Sequence, residues 1–152
     1  MRRLRRALAG AMVVPAAMAL APAASAALQI GHYNAYVDGR YDFHTWLWSF
    51  SSCNPPGGLE QCAIVSANPM PIARAFQWYA QAHQVDGTYT LIVDVPDGLR
   101  CGNVYYGQII PTHDVYTFDA VTLTGKLDSY FDVGCDNAPG GMFSYPFRLV
   151  RF

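Results

Sequence analysis

From residue 27 onward the sequence carries no long run with the 3.6-residue apolar repeat of an amphipathic helix. Its apolar residues recur instead at every second position. That period puts successive side chains on opposite faces of an extended chain, the pattern of strands with one face buried. In TLTGKLDSYFDV, Leu123, Leu127, Phe131 and Val133 share one face, opposite Thr122, Thr124, Lys126, Asp128, Tyr130 and Asp132. TYTLIVDV puts Tyr89, Leu91, Val93 and Val95 on its buried side, and GMFSYPFRLVRF does the same with Phe143, Tyr145, Phe147 and Leu149. Pro146 has no N–H to give to a ladder, which predicts an edge position for that last strand.

Turn signals separate these runs: Asp-Gly in VDGRY and VDGTY, Pro-Asp-Gly in VPDGL, Pro-Gly-Gly in NAPGGM. The pattern predicts about eight strands, near residues 40–50, 62–67, 73–80, 88–95, 103–109, 113–119, 122–133 and 142–151. ARAFQWYAQAH fits the alternation only briefly, and a short helix is the competing expectation there. Short strands at this spacing predict a single all-β domain, an antiparallel sandwich or a small barrel. Strand register decides between those two, and turns alone do not fix register. V-D-G-x-Y occurs twice and reaches a cysteine at the same offset, from Val37 to Cys53 and from Val85 to Cys101. Nothing after either cysteine continues the match, so it reads as a turn, a strand and an anchoring cysteine used twice rather than a duplicated half.

Residues 1–26 read as a signal peptide. Arg2, Arg3, Arg5 and Arg6 precede an apolar run from Ala7 to about Leu20, and Ala24-Ser25-Ala26 is a small-x-small cleavage site. The run is shorter than the roughly 20 apolar residues of a membrane span. The expectation is export, cleavage after Ala26 and a domain over residues 27–152, with no stable membrane span once the leader is removed. Four of the ten basic residues leave with the leader, so residues 27–152 keep six basic against eleven acidic residues, a net charge of −5. An acidic domain without a Lys/Arg cluster lacks the electrostatic footprint of a nucleic-acid binder.

All four cysteines (Cys53, Cys62, Cys101 and Cys135) fall in the exported part, and an even count in a small exported chain reads as disulfides. The segment NPPGGLEQ between Cys53 and Cys62 is a turn that returns one strand end to its neighbour. Eight intervening residues are too many for a zinc knuckle, which takes two to four. They are equally wrong for a C-x-x-C redox pair. The expected bonds are Cys53–Cys62 and Cys101–Cys135, and the other two connectivities are less local.

The pattern T-W-x-W-x-x-x-S-C with a second cysteine close by, D-G-x-Y-T, F-D-x-x-T-L-T-G-x-L and a final C-x-x-x-P-G-G before F-R-L runs through nearly the whole of residues 27–152. Thr45, Trp46, Trp48, Cys53, Cys62, Asp86 to Thr90, Phe118 to Leu127 and Cys135 to Leu149 carry it. It resembles small secreted proteins of mycobacteria and related actinobacteria. The resemblance implies an exported, disulfide-bonded chain and brings no catalytic residues with it.

Catalytic chemistry finds little to stand on. There is no G-x-S-x-G elbow, and the cysteines are committed to disulfides. His113 and Asp114 are neighbours, but on a strand they point to opposite faces. Asp128 and Asp132 share a face roughly 13 Å apart, wider than either glycosidase geometry, and read as a solvated face. No metal-ligand or phosphate-binding spacing occurs, so no catalytic residue, metal or cofactor is expected. What remains is aromatic content, 14% of the chain. Trp46, Trp48 and Phe50 alternate along one strand face, His44 precedes them on it, and Trp78 lies further on. These rings either fill the core or form a platform for an apolar or glycan ligand. The expectation is a secreted or envelope-associated protein that leans towards a non-catalytic role, binding such a ligand or a protein partner, with Trp46, Trp48, Trp78 and His44 as candidate ligand-binding residues. The alternatives are a small secreted hydrolase of unrecognised class and a small outer-membrane barrel.

Overall fold

The computed structural model describes residues 27–40, 45–53, 58–70, 77–102 and 106–152. The leader reading for residues 1–26 and His44 therefore lie outside the described residues. Eight antiparallel strands follow one another around a closed barrel. They are β1 (Gly31–Val37), β2 (Thr45–Ser52), β3 (Cys62–Met70), β4 (Trp78–Val85), β5 (Thr88–Arg100), β6 (Ile109–Asp119), β7 (Thr124–Val133) and β8 (Pro139–Arg151). Each strand pairs with the next, and β8 closes the ring by pairing Phe147–Arg151 with Val37–Tyr33 of β1. Closure leaves no free sheet edge, which is how an all-β chain of this size avoids an open ladder.

The alternation seen in the sequence becomes a largely apolar inside and a mixed outside. Tyr89, Leu91, Val93 and Val95 of β5 are buried as expected, and Trp48, Phe50, Tyr116, Phe118, Leu127, Phe147 and Leu149 join them in one core. His83, Thr90, Asp94, Lys126 and Arg148 face out in mid-strand. Tyr79, Ile92, Tyr130 and Val150 face out as well, so the outer wall carries both polar and apolar groups.

Two glycines set the tightest geometry. Asp86 and Gly87 both take positive φ, +48° and +79°, and make the two-residue turn between β4 and β5. A Cβ on Gly125, opposite Phe118, would lie 1.9 Å from the Thr117 carbonyl oxygen, so only glycine lets β6 and β7 approach this closely. The other V-D-G-x-Y copy behaves differently: β1 pairs Ala35 with Trp46, a register that a two-residue turn at Asp38-Gly39 would not give.

Several expectations are corrected. β1 is absent from the expected strands because small and polar residues (Ala35, His32, Asn34) carry much of its alternation. The expected strand at 103–109 is not one: Tyr106–Gln108 form a turn, and β6 begins at Ile109, with 103–105 outside the described residues. At 73–80, strand begins at Trp78, and Trp78–His83 are not helical, while 71–76 lie outside the described residues. Pro146 does not mark an edge. Its carbonyl accepts the Asp38 N–H at 2.9 Å just beyond the last β1–β8 pair, so its missing donor falls where the ladder ends. Phe143 and Val133 are exposed and Phe131 only half-buried, because the ends of β7 and β8 run as a hairpin beyond the packed part of the barrel. Leu123 is buried, but at φ +58° in the turn before β7 rather than on its face.

Asp128 is not solvated either. It is buried beneath Lys126, whose Nζ lies 2.6 Å from Oδ2, and it accepts the Ser144 hydroxyl at 2.6 Å across to β8. Lys126 first, and Ser144 with it, hold the Asp128 carboxyl below its ordinary range. The Thr122 and Val121 N–H groups, donating to Oδ1 at 2.7 and 2.9 Å, do the same for Asp119 in the β6–β7 turn. Both carboxyls are thus better acids in the folded state than in the unfolded chain. The unfolded chain takes up protons first as pH falls, so their stabilisation is present above about pH 4 and is lost below it. The double variant Asp119→Asn, Asp128→Asn is expected to lose stability less steeply than the parent between about pH 4 and pH 2 in urea unfolding. Parallel curves would assign acid sensitivity to other groups.

Candidate functional site

The two ends of the barrel differ. At one end the connections β2–β3, β4–β5 and β6–β7 meet the segment that leads into β1, and this end is plugged. The Leu28 N–H donates to the Ala120 carbonyl at 2.7 Å, and the Leu149 N–H donates to the Leu123 carbonyl at 2.8 Å. The Tyr33 hydroxyl donates to the Gln29 carbonyl at 3.0 Å and accepts the Gln29 N–H. The Tyr89 hydroxyl donates to the Leu59 carbonyl, and burial first, then the Glu60 charge, pushes its pKa up. Leu28, Leu59, Ala120 and Leu123 complete the apolar plug. The Cys53–Cys62 disulfide sits at this end, Cα atoms 5.7 Å apart.

The opposite end, where β1–β2, β3–β4, β5–β6 and β7–β8 connect, holds a cavity of about 160 Å³. Trp46, Trp48, Trp78 and Tyr116 wall it. Trp48 is the floor, only 1% exposed, with its ring edge-on to Trp78 at 5.2 Å and to Tyr116 at 4.9 Å between centroids. Trp46 and Trp78, both half-buried, form a tilted shelf above it, 6.4 Å apart. The period of two accounts for this convergence. Trp46 and Trp48 face inward on β2, Trp78 begins β4 at the same end, and Tyr116 faces inward on β6.

One wall of the cavity is charged. Arg40 donates from Nη1 to Asp114 Oδ2 at 2.7 Å and from Nη2 to the Gly98 carbonyl at 2.6 Å. The Asp114 side chain is fully buried and also accepts the Ser129 hydroxyl. The β5–β6 register shifts between Val95 and Leu99, within the stretch that holds the Gly98 carbonyl. Tyr145 stands near the pair: burial pushes its pKa up, Arg40 opposes this and Asp114 adds to it. Asp38 and Thr45, both exposed, stand at the rim. The second end of this wall is fixed by the Cys101–Cys135 disulfide, Cα atoms 5.5 Å apart, which ties the β5–β6 connection to the turn after β7.

Of the four expected ligand-binding residues, Trp46, Trp48 and Trp78 line this one cavity, and they are all the tryptophans of the chain. The disulfides are those expected. The Arg40–Asp114–Ser129 cluster was not expected, although one signal for it was present. Asp114 has the same parity as Tyr116 and Phe118 on β6, and a carboxylate on a buried strand face requires a partner.

The three described histidines do not converge. His113 pairs with Asp94 at 2.7 Å on the outer wall, with its backbone neighbour Asp114 pointing inward, as the strand geometry predicts. His32 meets Ser49 at 2.8 Å on the outside of β1 and β2, and His83 is exposed on β4. Among the described residues no three His, Cys, Asp or Glu side chains group as metal ligands. A larger hollow of about 400 Å³ lies on the outer wall where β6 and β7 separate beyond His113. Its His113–Asp94 contact faces solvent, whereas the other cavity gathers rings and a buried pair around one space. No helix among the described residues is long and apolar enough to cross a membrane. No family model, curated protein or solved structure matches the chain.

Proposed function

We propose that this is an exported, non-catalytic binding protein of the envelope or extracellular space, which takes a small ring-shaped ligand, apolar or from a glycan, in the cavity at the end of its barrel opposite the plug. One observation carries the reading: all three tryptophans of the chain line a single cavity at the end opposite the plug. Eight-stranded barrels either fill their interior with side chains or hold one small ligand. This one does the first over most of its length and leaves room for the second at one end. Two disulfides fit an oxidising compartment, in keeping with the leader reading and with the resemblance to small secreted mycobacterial proteins. A secreted hydrolase would need a base beside a nucleophile and an acid, and the described histidines stand on the outside of three different strands. The reading is tested by asking which tryptophan indole signals respond when ring-sized compounds are added to the protein.

A further inference from the structure

The ring is closed, but its seams do not all run the length of their strands. β4 and β5 pair only over Ala82–Val85 with Thr88–Leu91, the shortest ladder among the described strands. Beyond it Trp78–Gln81 stay paired to β3 and Ile92–Val95 to β6, so each strand follows its other neighbour and the seam splits. Val85 and Thr88 flank a two-residue turn. Every second residue of β5 from Thr88, Ile92 and Asp94 included, therefore aims its N–H and C=O at this seam. Continued past Leu91, the register would set Gln81 opposite Ile92 and Tyr79 opposite Asp94, and neither pair forms. All four side chains are exposed, Tyr79 at 67% and Ile92 at 52%, so the outer side of the split is open to solvent.

We infer that this seam takes an extended segment of a protein partner as an added strand. The segment carries a basic residue on its outer face and, two positions on, an apolar one. Unpaired strand edges are matched by the backbone of another extended chain. The flanks set the side chains. An outer residue level with Asp94 has a carboxylate on one side and the Tyr79 ring on the other, and Lys or Arg answers both. Asp94 meets His113 through Oδ1 and is 88% exposed, and its second oxygen has no partner among the described residues. The next outer position lies between Gln81 and Ile92, where an apolar residue packs on Ile92. A second copy of the chain fits worse. The two-fold pairing that uses Ile92–Pro96 in full sets Asp94 against Asp94, a like-charged pair, and Pro96 brings no N–H. The added strand lies along the wall, and its binding is separate from that of a ring in the cavity.

Three hexapeptides test this: Thr-Thr-Lys-Thr-Val-Thr, its Lys-to-Glu form, and a form with proline at every second position in place of the outer threonines. The lysine peptide is expected to give saturable shifts of the Tyr79, Gln81, Ile92 and Asp94 amide signals and to slow hydrogen exchange at Asp94. The glutamate form is expected to bind about 3- to 10-fold more weakly, for want of an exposed ion pair and a cation–π contact. The proline form, stripped of donors that a ladder needs, is expected not to bind. Asp94→Lys, at an exposed side chain, reverses the order of the lysine and glutamate peptides. Absence of seam shifts with the lysine peptide, or equal binding of the proline form, overturns the added strand. An order that Asp94→Lys leaves unchanged overturns the basic residue. A protein that sediments as a dimer, with the Asp94 amide already protected, assigns the seam to a second copy and overturns the partner.

Discussion

Replacing Arg40 by alanine is expected to lower the unfolding free energy by about 3–5 kcal/mol. The effect follows from what the substitution leaves behind. Asp114 has a fully buried side chain and draws its charge compensation from a guanidinium 2.7 Å away, with the Ser129 hydroxyl as its other described partner. Taking away one partner of such a pair costs far more than the pair contributes, because the remaining charge stays out of water. The same reasoning predicts that Arg40→Met, Asp114→Leu, Ser129→Ala together recover most of the loss, since no charge or orphan hydroxyl is then buried. Chemical unfolding followed by circular dichroism measures both variants. Equal losses in the single and triple variants would place the cost in packing rather than in the stranded charge.

The second large effect is removal of the Cys101–Cys135 disulfide, expected to cost about 4 kcal/mol as the double serine variant, against about 3 kcal/mol for Cys53–Cys62. The order follows from the chain released: the bonded cysteines are 34 residues apart in the first case and 9 in the second. In the chain-entropy view the longer loop gains more freedom in the unfolded state. The two bonds also sit at opposite ends. Cys53–Cys62 lies within the plug, which hydrogen bonds and Leu59 hold as well, whereas Cys101–Cys135 ties two connections at the end opposite the plug. Thermal unfolding of the two variants decides the order, with shifts on the order of 10–20 °C for either. A larger loss from Cys53–Cys62 would mean that native-state contacts in the plug, not loop closure, set the value of that bond.

Local signals made much of the barrel legible. The alternation of Tyr89, Leu91, Val93 and Val95 needed only the two-residue period of a strand, and the turn in NPPGGLEQ was enough to pair Cys53 with Cys62. Contacts between distant segments were not legible. Pro146 suggested an edge because one residue says nothing of where a neighbouring strand stops, and in the barrel its missing N–H falls just where β1 turns away. Asp128 looked solvated because the hydroxyl that meets it, Ser144, lies 16 residues further on in β8. The site divides in the same way. Trp46 and Trp48 announced themselves by parity on β2, while the pairing of Arg40 with Asp114, 74 residues apart, depends on closure of the ring. Closure itself rests on β1, the strand whose polar alternation is weakest as a sequence signal.

The central claim is that the cavity at the end opposite the plug binds a ligand, and the most direct measurement is a two-dimensional ¹⁵N spectrum of the protein titrated with ring-sized compounds. Three tryptophans give three indole N–H signals in a clear region of that spectrum, all from residues that line the cavity. The account predicts saturable shifts of the Trp46 and Trp78 indole signals, a smaller shift of Trp48 at the floor, and no change at His32, His83 and His113 on the outer wall. Shifts confined to the outer wall, or indole signals that stay in place throughout the series, would contradict it and leave the tryptophans as core alone.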